Sequence, residues 1–69
     1  MIALFRNARE VIRADTAATA AGLEHRVKPV PEEYSTECGM CLHVSDTQAD
    51  VFKNLMSANG IEAVYHDDK

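Results

Sequence analysis

Cysteine is scarce and oddly placed in this sequence: there are only two in 69 residues, and both fall in one Cys38-Gly39-Met40-Cys41 tetrad. Two thiols this close cannot staple distant segments, because the loop they close constrains little of the unfolded chain. A structural disulfide is therefore a poor reading of the pair. A second Cys-x-x-Cys, which would make a zinc site a strong reading, is missing. Also missing is a run of about 18 apolar residues, so no membrane span is expected. The opening "MIALFRNARE" meets charge after a short apolar run, without the longer apolar centre and small-residue cleavage site of a signal peptide. No basic block occurs, and 7 basic against 11 acidic residues give a net charge of −4. That balance argues against nucleic-acid binding, which depends on Lys and Arg neutralising phosphates. No glycine-rich nucleotide loop and no spaced pair of carboxylates suggests a turnover enzyme.

What remains has the composition of an ordinary globular domain, 46% hydrophobic and 26% charged. The length leaves room for one domain, residues 1–69, with a thin stability margin. The expected compartment is the cytoplasm, where thiols stay reduced and a Cys-x-x-Cys is redox-active or metal-binding rather than structural.

"IALF" at 2–5 reads as a buried strand. Asn7 is a good helix N-cap, and Ala8, Val11, Ala14, Ala18 and Ala21 recur at helical steps, with Ile12 beside them. Gly22 suits the position that ends such a helix. "LEHRVKPVP" at 23–31 reads as a strand, and Pro29, which has no amide donor, places it at a sheet edge. After a polar loop, "MCLHV" at 40–44 alternates, with Met40, Leu42 and Val44 on one face and Cys41 and His43 on the other. Ser45 and Gln48 have capping-box spacing. Val51, Phe52, Leu55, Met56 and Ala58 follow as a helix face, Asn59-Gly60 ends it, and "EAVYH" at 62–66 is a last strand.

The order is β-α-β-β-α-β, which predicts an α+β, ferredoxin-like fold: a four-stranded antiparallel sheet with two helices on one face. Right-handed crossovers then put the Cys38 loop and the Arg6-Asn7-Ala8-Arg9 turn at one end of the molecule. A thiolate there gains from the positive end of the first helix and from Arg6 and Arg9. Glu32, Glu33 and Glu37 in the loop oppose it. Gly39 leaves the backbone beside Cys38 unhindered and can take positive φ. Cys41 and His43 are expected on the outer sheet face, meeting solvent or a second subunit. His25 and His66 show no partner pattern and read as solvated; Tyr34 reads as loop packing and Met40 as core.

The stretch "VKPVPEEYSTECGMCLHV" resembles a family of small bacterial domains named "putative selenium/sulfur carrier protein-like". The order of Phe5, the 8–21 helix, Pro29-Val30-Pro31, Ser35 and Cys38-Gly39 carries the likeness, over nearly the whole chain. Two positions depart from it: Glu32 stands where Arg is usual, removing a cation near the thiol, and Asn7 stands where a Ser or Thr cap is usual. The resemblance implies a carrier in which Cys38 holds a sulfur or selenium atom, Ser35 and Gly39 shape its loop, and Cys41 is an addition. It implies no cofactor, and as partners a donor enzyme and an acceptor protein. Read from the residues alone, Cys41 is either a resolving thiol that forms a disulfide with Cys38 and releases the cargo, or a strand-packing residue. Two further readings stay open. One is a Cu(I) or Zn²⁺ module using Cys38 and Cys41 with or without His43; metallochaperones of this topology carry their Cys-x-x-Cys before the first helix instead. The other is a docking domain forming a homo-oligomer through its outer face or edge strands.

Overall fold

A computed structural model describes residues 1–34 and 39–67. The elements run β1 (Ile2–Phe5), α1 (Ala8–Ala20), β2 (His25–Pro29), β3 (Met40–Val44), a 3₁₀ turn (Asp46–Gln48), α2 (Ala49–Ala58) and β4 (Ala63–His66). All four strands are antiparallel neighbours in one sheet of order β2-β3-β1-β4. This is the ferredoxin-like arrangement expected from the chain order.

The core lies between the sheet and both helices. Ala3 and Phe5 of β1 and Leu42 and Val44 of β3 pack with Val11, Ala14 and Ala18 of α1 and with Phe52 and Met56 of α2. Phe52, Leu42 and Met56 are the largest buried side chains of this layer. Each contributes about 1.5–3 kcal/mol relative to an exposed position. The two alanines let α1 lie close to the strands, at the cost of little area buried per residue. Ala8 and Ala21, expected on the same stripe, are exposed, as are Ile12, Val51 and Ala58. The buried arcs are narrower than the sequence suggests, reduced to Val11, Ala14 and Ala18 on α1 and to Phe52 and Met56 on α2.

Helix ends follow local chemistry. The Asn7 side chain accepts from the Glu10 N–H at 3.0 Å, satisfying one of the amides that a helix start leaves unpaired. At the other end of α1, Leu23 N–H donates to Ala18 O and Gly22 N–H to Thr19 O, the paired bonds of a Schellman stop, with Gly22 at φ +72°. The same two bonds close α2, from Ile61 to Met56 and from Gly60 to Ser57, and Ile61 is buried against the core.

Three local expectations fail here as well. The Ser45–Gln48 capping box does not form: Ser45 Oγ pairs with Thr47 Oγ1, and Gln48 Oε1 accepts from the Glu24 N–H at 2.8 Å. A 3₁₀ turn precedes α2 instead. Met40, the first residue of β3, is 36% exposed rather than core. His25 is not solvated: its Nε2 lies 2.6 Å from Asp15 Oδ1 and its Nδ1 2.7 Å from Leu23 O, clipping α1 to the start of β2.

Candidate functional site

Strand pairing defines the end of the sheet from which the cysteine loop departs. Leu4 pairs with Cys41, and Pro29 pairs with Met40. The end of β2, the start of β3 and the β1–α1 turn therefore lie together, as the chain order implies. Val30 N–H donates to Gly39 O at 3.1 Å, extending the β2–β3 ladder one step into the loop. Gly39 is exposed and sits at φ +77°, in the left-handed region, and a Cβ placed there would meet nothing within 4 Å. The residue thus takes the positive φ expected of it, one position before β3. Cys38 and Ser35 themselves lie outside the described residues.

The turn facing this loop is already engaged. Arg6 is exposed and donates to Glu62 at 2.7 Å; an exposed pair of this kind is worth about 0–1 kcal/mol, so the guanidinium is easily released. The Asn7 side chain is spent on the helix cap. Arg9 is exposed. The positive end of α1, 13 residues long, therefore stands at the loop end of the molecule, with the exposed carboxylates of Glu32 and Glu33 on the loop side.

The outer face of the sheet differs from expectation. Cys41 alternates with the core residues Leu42 and Val44, so it does point to that face, but it has no solvent exposure. Its Sγ approaches Pro29 O at 3.7 Å. Ile2, on the same face, is also buried. The cause is the path of the segment that follows β2. Tyr65 makes an edge contact with Phe52 in the core, so His66, next along β4, points to the outer face, and the Tyr34 ring stacks on it with centroids 4.4 Å apart. The chain leaving β2 at one edge has crossed the outer face to reach β4 at the other. Tyr34 thus packs as expected, but His66 is not solvated.

His43 is half-buried and pairs with Arg26 across the β2–β3 ladder. The structure brings Cys41 and His43 to one face, with a guanidinium-bearing residue opposite the imidazole. That placement gives the soft-metal reading no added support. A groove along β4 is lined by Arg6, Glu33, Tyr34, Lys53, Tyr65 and His66. Lys53 Nζ stands 5.2 Å from the Tyr65 ring centroid, and burial raises the Tyr65 phenol above its usual 10.0. Sequence reasoning missed the Tyr34–His66 contact; the one signal was a lone aromatic in an otherwise polar loop.

A four-stranded antiparallel sheet with both helices on one face defines the class: a small α+β protein of ferredoxin-like fold. Residues 1–65 match the family described as "Putative Se/S carrier protein-like", and the chain belongs to that family. No match was found among curated proteins or among solved structures. Among the described residues, no helix is long and apolar enough to cross a membrane.

Proposed function

We propose that this protein is a stoichiometric carrier of one sulfur or selenium atom, held on Cys38 as a persulfide or selenosulfide and passed from a donor enzyme to an acceptor protein. The observation that carries this reading is the family match, which spans the Cys38-Gly39 pair. The left-handed Gly39 and the positive end of α1 at the same end of the sheet support it, since both favour an accessible thiolate. The Cys38 thiolate attacks the outer sulfur of a donor persulfide. The donor S–S bond breaks as a new S–S bond forms on Cys38, and the donor leaves as its thiolate. No net oxidation occurs. A donor carrying terminal selenium reacts in the same way.

Cys41 has a secondary part in this scheme. As a resolving thiol it would attack the inner sulfur of Cys38, form the disulfide and expel hydrosulfide. With its thiol wholly buried, delivery runs through attack by an acceptor on the Cys38 adduct, and Cys41 serves the packing of the outer face. The test is intact-mass measurement after incubation with a cysteine desulfurase and cysteine, or with a selenium donor. A gain of one sulfur or selenium atom, lost in Cys38→Ser and kept in Cys41→Ser, is expected. No gain, or a gain that persists in Cys38→Ser, overturns the reading.

A further inference from the structure

The two edges of the sheet are protected very differently. β2 carries Arg26, Lys28 and Pro29 within five residues, the usual devices that keep an edge from pairing with another chain. β4, at the opposite edge, reads Ala63-Val64-Tyr65-His66, with no Lys, Arg, Asp, Glu or Pro. Its Val64 is 60% exposed.

The hydrogen-bond phase shows which groups of β4 point outward. Met1 and Val44 exchange both backbone bonds, so odd-numbered residues of β1 bond toward β3 and even-numbered ones toward β4. Ile2 pairs with His66 and Leu4 with Val64. The N–H and C=O groups of Ala63 and Tyr65 are therefore turned away from the sheet. Those groups form the open edge of the sheet, and the exposed Val64 side chain stands beside them on the outer face.

We propose that β4 is a dimerisation edge, and that its occupant is β4 of a second copy of this chain, antiparallel about a two-fold axis through Val64. The register follows from the outward groups: Ala63 of each copy bonds to Tyr65 of the other, and the two Val64 side chains lie opposite each other in the closer, non-hydrogen-bonded kind of pair. Glu62 of each copy then stands opposite His66 of the other, a carboxylate acceptor facing an imidazole donor, twice over. A carboxylate has lone pairs to spare for this beside its bond from Arg6. No like charges meet along the strand. The same operation at β2, centred on Val27, would instead set Arg26 of each copy against Lys28 of the other, with a proline in the ladder. The result is an eight-stranded sheet with all helices on one side. This holds whatever Cys38 carries.

The experiment is sedimentation equilibrium of the full chain under reducing conditions across a concentration series, together with disulfide trapping. The interface is a short strand edge at the low end of interface sizes, so a monomer–dimer midpoint below about 1 mM is expected. Val64→Lys, a change at an exposed site checked for folding by circular dichroism, is expected to shift the mass to monomer. In a Cys38→Ser, Cys41→Ala background, Val64→Cys is expected to cross-link on oxidation, because a non-hydrogen-bonded pair holds Cα atoms about 4.5 Å apart, inside the disulfide range. Val27→Cys on the β2 edge, far from the interface, is expected not to cross-link. A monomer throughout the series, a dimer that survives Val64→Lys, or cross-linking at Val27 as strong as at Val64 overturns the proposal.

Discussion

Replacing Gly39 with alanine isolates one physical term. At φ +77° an L-residue suffers the clash between its Cβ and its own carbonyl that disfavours left-handed backbone, costing about 1–2 kcal/mol. No neighbouring atom lies within 4 Å of the added methyl, so no packing penalty adds to it. Alanine also restricts the unfolded chain more than glycine does, returning about 0.4–1 kcal/mol. The net loss is about 1 kcal/mol, which lowers the midpoint of thermal unfolding by about 4–8 °C in a chain of this size. Gly39→Asn should lose less, because its short polar side chain tolerates the left-handed region. Gly22→Ala is the control: it sits at φ +72°, also with nothing within 4 Å, at the end of α1 instead of beside Cys38. The two alanine variants should melt alike in a calorimeter. Only Gly39→Ala should change the rate at which Cys38 accepts a sulfur atom. A loss above about 3 kcal/mol would mean that the methyl strikes something, and a neutral result would mean that the backbone is not left-handed; either refutes the reasoning.

Phe52→Ala removes the largest fully buried side chain and should cost about 3–5 kcal/mol, enough to leave the chain largely unfolded near its working temperature, as followed by denaturant titration. Asn7→Ala deletes the bond to the Glu10 N–H and should cost about 1 kcal/mol, with Asn7→Ser restoring most of it. In a Cys38→Ser variant, the remaining thiol of Cys41 is fully buried, so it should react with a thiol reagent slowly in the native protein and at the free-thiol rate in denaturant; fast native labelling would contradict the covered outer face. Burial raises the Tyr65 phenol above 10.0 in the folded chain. Its stabilising contribution is therefore fully present below pH 10.0 and lost as pH rises through the higher folded value. Tyr65→Phe should flatten that alkaline decline in melting temperature.

The features that could be read in advance are those whose causes lie within a few residues of chain. Asn7 caps α1 because its own side chain reaches the Glu10 amide, and Gly22 stops it because the backbone there must turn left-handed. Pro29 marks an edge for an equally local reason: it brings no N–H. The misses share a different cause. Gln48 has the spacing to cap α2, but the Glu24 amide, 24 residues earlier in the chain, takes its side-chain oxygen. His25 looks unpartnered until α1 folds back and Asp15 arrives. Cys41 and His66 fall on a face that strand alternation correctly assigns to the outside, and alternation reads outside as wet. That inference holds only while nothing crosses the sheet. Here the segment after β2 does cross it, far enough for Tyr34 to stack on His66 at the opposite edge, and a loop rich in glutamate and serine gives no periodic signal of such a path. The consequence is chemical: the Cys41 thiol, which alternation places on the outer face, has no solvent exposure. A carrier whose neighbouring thiol stood in solvent would discharge itself into a disulfide. If Cys38 carries the atom as proposed, a buried Cys41 closes that route while leaving the strand, and the Gly39 turn beside it, intact.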